Sequence, residues 1–108
     1  MIVYEVNLSV REDIYADYRV WLAAHVEEML ALAGFIGAQI LEQREPPAPE
    51  GRRVVTVHYR LTDEAALGRY LAEHAPRMRE AGVRRFGDAF TATRRVLAGA
   101  APAGHEGS

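Results

Sequence analysis

Histidine is the side chain here best suited to moving a proton near neutral pH, because the chain has no cysteine and its other side chains titrate well away from pH 7. His25 follows Ile14, Tyr18 and Trp21 and precedes Met29 and Leu32 at helical spacing, which sets its ring in an apolar stripe. A ring so placed can act as general acid or base, which makes His25 the candidate catalytic residue. It can equally be a core histidine that donates to a backbone carbonyl or to Glu28. Burial lowers the pKa of such a ring, and a nearby Glu28 opposes that shift. The helix bearing this stripe must cover Tyr4, Val6, Val57 and Tyr59, so a small-molecule ligand would meet Tyr4, Trp21, His25 and Tyr59.

The other histidines sit in different settings. His58 projects opposite to Val57 and Tyr59, beside Thr56 and Arg60, where it can line a cavity with Glu5 and Asn7 or form interface hydrogen bonds. His74 stands two residues before Pro76 and reads as a helix-end residue satisfying a freed carbonyl. The histidines are scattered, no HExxH or cysteine pattern is present, and His25 with Glu28 alone is unspecific, so no metal is expected. Phosphate-cradling glycine loops and a nucleophile-elbow serine are also missing, which leaves no cofactor and no triad hydrolysis to expect.

These residues need elements to position them. Ile2, Tyr4, Val6, Leu8 and Val10 alternate with Val3, Glu5, Asn7 and Ser9, the pattern of a half-buried strand over 2–10. Glu12 and Asp13 suit a helix start, and the stripe through Tyr18, Leu22, Val26 and Met29 continues to a cap at Gly34. Strands are expected over 35–44 and 52–61, joined by the proline-rich loop 45–51. Thr62 can cap a second helix with Leu67, Tyr70, Leu71 and Met78 on its buried stripe. Pro76 should break that helix near Ala75, and Gly82 should end it. A last strand is expected over 86–97, followed by a disordered Gly-, Ala- and Pro-rich tail over 98–108.

The order β-α-β-β-α-β is the ferredoxin-like, split β-α-β pattern of an α+β fold, with one antiparallel sheet and both helices on one face. Alternation then assigns Val3, Glu5, Asn7, Ser9, Val54, Thr56, His58 and Arg60 to the second face. That set is neither plainly polar nor plainly apolar. It can meet water, or pack on a second copy as a wet isologous interface.

Composition narrows the classes further. The chain has 108 residues, 49% hydrophobic and 26% charged, which suits one folded domain, expected over 1–97. All 13 basic residues are arginine, yet the formal net charge is −2, so no global field favours nucleic acid or anionic lipid. The second face of the first and third strands also carries no aromatic on which bases could stack. Arg77, Arg79, Arg84, Arg85, Arg94 and Arg95 are the remaining argument for anion binding, against a solvated rim paired with Glu73, Glu80 and Asp88. No stretch reaches the ~20 apolar residues of a membrane helix, and the N-terminus lacks a signal-peptide pattern, so a cytoplasmic protein with no membrane partner is expected.

Met1–Val6, Trp21–Val26, Gly34–Phe35, Tyr70–Arg79 and Arg85–Phe90, in that order and spacing, resemble a family of small bacterial proteins, the domain of unknown function 4286. The resemblance spans roughly residues 1–97 and implies a dimeric α+β barrel of ferredoxin-like protomers. It brings no reaction, because the wider fold serves cofactor-free monooxygenases, lactone isomerases and haem enzymes alike. Two functions are therefore expected in competition. One is a homodimeric module that binds a small molecule or a protein; the other is a cofactor-free, monooxygenase- or isomerase-like enzyme with His25 as acid or base.

Overall fold

Alternation of apolar and polar side chains turns Ile2–Arg11 into β1, Phe35–Glu42 into β2, Arg52–Leu61 into β3 and Phe90–Ala98 into β4. In the computed structural model, which describes residues 1–101, these strands form one antiparallel sheet in the order β2-β3-β1-β4. The helices are α1 (Tyr15–Leu30), α2 (Glu64–Glu73) and α3 (Ala75–Phe86). The fold is the α+β ferredoxin-like one that periodicity predicts.

Ile2, Tyr4, Leu8 and Val10 of β1 and Val55, Val57, Tyr59 and Leu61 of β3 point to one side and are buried there. Against them lie Tyr15, Tyr18, Leu22, Val26 and Met29 of α1, Leu67 and Tyr70 of α2, and Met78 of α3. Burying a side chain of this size stabilises by about 1.5 to 3 kcal/mol. The molecule measures 40 × 37 × 18 Å, and its short dimension holds only one helix layer on one sheet. The other sheet face is therefore uncovered in the protomer, with Val3, Asn7, Ser9, Val54, Thr56 and His58 half-buried along it.

Several boundaries differ from expectation. Pro76 does divide the second helical segment, but Gly82 does not end it. It is buried inside α3, where an added Cβ would stand 3.1 Å from Trp21 and 3.2 Å from Phe90. The glycine lets the two rings approach the helix, and α3 runs on to Phe86 before Gly87, at φ 58°, turns the chain. The last strand therefore begins at Phe90 rather than 86, after a short 3-10 turn over Gly87–Ala89. Asp63, not Thr62, caps α2: its carboxylate accepts from the Ala66 amide at 2.8 Å. Strand β2 stops at Glu42 rather than 44. Strand β4 extends to Ala98 rather than 97, and the Gly99 amide still donates to the Met1 carbonyl. The part of the expected disordered tail over residues 102–108 lies outside the described residues.

Candidate functional site

Tyr4 and Tyr59 face each other across β1 and β3, with ring centroids 6.1 Å apart, on the helix side of the sheet. Tyr70 of α2 adds a third ring 5.8 Å from Tyr4. Helical spacing stacks His25 on Trp21 at 4.6 Å with only 17° between the planes, and Tyr18 lies 5.5 Å from Trp21. Between these two aromatic groups is a partly open cavity of about 50 Å³, reached also by Met78, Gly82 and Phe90. The four residues expected to meet a ligand, Tyr4, Trp21, His25 and Tyr59, all border it.

His25 is half-buried at the edge of this cavity. Burial holds its pKa below the ordinary histidine value, and the Glu28 carboxylate only partly opposes the shift. The ring is thus neutral at pH 7 and able to accept a proton. Among the described residues its nitrogens make no protein hydrogen bond, so no second residue orients it as a catalytic pair would. Burial pushes Tyr70 up to about 12 and raises Tyr18 and Tyr59 still further. These hydroxyls remain protonated and serve as hydrogen-bonding groups rather than bases.

Two arginines complete the solvent side of the cavity. Arg79 of α3 donates to the Tyr4 hydroxyl at 2.9 Å. Arg94 of β4 stands opposite Val6 in the register and so points to the helix side, into the cavity lining. The reading of these residues as a rim paired with Glu73, Glu80 and Asp88 holds only for Arg84, which meets Glu80 at 3.0 Å. Arg94 shares the parity of Phe90 and Ala92, the half-buried residues of β4.

The uncovered face has its own polar centre. Glu5, opposite His58 in the register, is only 5% exposed. Its carboxylate accepts from Arg95 at 2.6 and 3.1 Å, from Asn7 at 2.9 Å and from His58 at 2.8 Å. The Asn7 carbonyl oxygen accepts in turn from Thr56 at 2.7 Å. These bonds, Arg95 foremost, hold the Glu5 pKa down at about 2. Arg60, by contrast, is exposed and lies across Gly37 on β2. Among the described residues no three metal-ligating side chains converge, and no helix is long and apolar enough to cross a membrane.

A second cluster was not legible in the sequence. Tyr15, buried at the start of α1, donates to Glu42 at 2.6 Å, and Arg19 meets the same carboxylate at 2.7 Å. Nothing in the helical stripe separates Tyr15 from Ile14, which was expected to be the inward residue and is only half-buried.

The model of the family described as domain of unknown function DUF4286 matches residues 1–100. The chain belongs to this family. No curated protein matches the sequence. Among solved structures, a candidate antibiotic biosynthesis monooxygenase from Deinococcus radiodurans superposes with a TM-score of 0.70 at 15% identity, covering 96% of this chain and 97% of that one. A mutant form of SnoaB, a cofactor-independent oxygenase from Streptomyces nogalater, gives 0.63 at 18% identity over 94% and 95% of the two chains. A dimeric ferredoxin-like protein of unknown function from Jannaschia sp. CCS1 gives 0.52 at 22% identity over 88% and 98%. At these identities the DUF4286 chain shares a fold with its neighbours, and activity does not follow from fold.

Proposed function

We propose that this DUF4286 protein is a homodimeric small-molecule-binding module, with one ligand site per protomer in the cavity between the sheet and helices α1 and α3. The observation that carries this reading is the convergence of Tyr4, Tyr59, Trp21 and His25 on a single partly open cavity. A concave site with mainly apolar walls and a few polar groups is the usual form of a ligand pocket. The uncovered sheet face, with its half-buried valines and the Glu5–Arg95–His58 network, supports a second copy as the protein partner. The dimeric Jannaschia neighbour fits that arrangement.

Trp21 is the chain's one tryptophan, so its fluorescence reports on the cavity directly. A saturable change of Trp21 emission with a small-molecule library, together with a native mass of twice 12.0 kDa, is the expected result. A monomer at micromolar concentration would remove the dimer, and emission indifferent to every compound would remove the site.

One observation favours a second reading. A neutral His25 stacked on Trp21 beside the cavity is a competent proton acceptor, and SnoaB is described as a cofactor-independent oxygenase. In a cofactor-free enzyme His25 would remove a proton from an acidic O–H or C–H of the bound molecule, since the tyrosines are held protonated. His25→Gln should then abolish turnover while binding persists. Loss of binding alone would leave the module reading in place.

A further inference from the structure

The cavity's walls and its opening differ in character. Its inner surface is aromatic and aliphatic, while Arg79 and Arg94, both exposed, border it from the solvent side. Arg79 uses one donor on the Tyr4 hydroxyl and keeps others, because a guanidinium carries five. Among the described residues neither Arg79 nor Arg94 forms an ion pair, whereas Arg11, Arg19, Arg53, Arg84 and Arg95 each meet a carboxylate. Two positive groups thus flank one apolar cavity with no carboxylate among its lining residues.

Size fixes how a ligand would lie. A cavity of about 150 Å³ encloses a benzene ring. With about 50 Å³ this one takes only the edge of such a ring, and the rest remains at the opening beside the arginines. Resting on the proposal that the cavity is a ligand site, we infer that its ligands are small planar organic anions, aromatic carboxylates in the first instance, seated apolar edge inward with the charged group between Arg79 and Arg94. A guanidinium fork matches a carboxylate in both charge and geometry. An inward-pointing arginine can also serve only to protect a sheet edge, which β4 is. In that case Arg94 would have no bearing on ligand choice.

Benzoate and its neutral isostere benzamide separate these cases when titrated against Trp21 emission. The expected result is at least tenfold tighter binding of benzoate, with Arg94→Gln reducing that preference threefold or more and leaving benzamide unaffected. Arg84→Gln removes the same charge from an exposed ion pair with Glu80 and should leave the preference intact, which controls for net charge. Equal binding of the two compounds, or a preference that survives Arg94→Gln, overturns the anion inference and leaves the cavity as a ligand site. Absence of any response to both compounds at millimolar concentration overturns the inference and counts against the site itself.

Discussion

Glu5→Gln removes one charge from the centre of the uncovered sheet face and keeps the side chain's size. The native carboxylate is 7% exposed, and its pKa is held at about 2 against an ordinary value of 4.5. At ~1.36 kcal/mol per unit, the shift corresponds to about 3 kcal/mol of stability at neutral pH. The Arg95 side chain is 64% exposed, so solvent screens the largest contributor and about 2 kcal/mol is the better expectation. For a domain of this length that is a fall in Tm of roughly 8 to 16 °C. The sign of the pH dependence follows from the depressed pKa. The contribution is complete above pH 4.5 and disappears as pH falls toward 2, because the folded state gives up its proton more readily than the unfolded chain. Chemical denaturation of the two proteins at equal concentration, from pH 7 down to pH 2, should show curves that converge below pH 4.5. A difference under 0.5 kcal/mol at pH 7, or curves that stay parallel through the acid range, would refute the account of the network.

Trp21 emission should titrate with His25 at a midpoint below that of a free histidine, and a midpoint at or above it would contradict burial as the dominant cause. The same depressed pKa makes stability rise with pH through that window, a rise His25→Gln should flatten in denaturation curves. Gly82→Ala gains about 1 kcal/mol of helix propensity but sets a methyl 3.1 Å from Trp21, so a shift in Trp21 emission without loss of fold is expected by fluorescence and circular dichroism. Asp63→Ala should cost about 1 kcal/mol in thermal unfolding by freeing the Ala66 amide. Tyr15→Phe should cost about 1 to 2 kcal/mol in urea denaturation, because Glu42 loses a partner at 2.6 Å.

Strands were the most legible part of this chain. The limits of β3 agree at both ends, because Val55, Val57, Tyr59 and Leu61 bury one face while Arg60 and His58 mark the other. The break at Pro76 was equally legible, since proline removes a helix hydrogen bond wherever it falls. Gly82 was not: in one dimension a glycine near a helix end reads as a terminator, and only the approach of Trp21 and Phe90 shows that it is a packing glycine. Reading it as a terminator places the start of β4 at 86 instead of Phe90. The grouping of Tyr4, Tyr59, Trp21 and His25 was visible from periodicity, because both faces of a helix–sheet pair can be read from spacing. Arg79 was not, since an exposed arginine on a helix gives no sign that it bridges to a tyrosine on the first strand.

The cavity between α1, α3 and the sheet is proposed to receive a small molecule. Amide chemical-shift mapping of the labelled protein during titration with benzoate tests it most directly. Saturable shifts confined to Trp21, His25, Gly82 and Arg94 and their neighbours are expected. Shifts centred instead on Val3, Asn7, Thr56 and His58 of the uncovered face, or none anywhere in the chain, would contradict it.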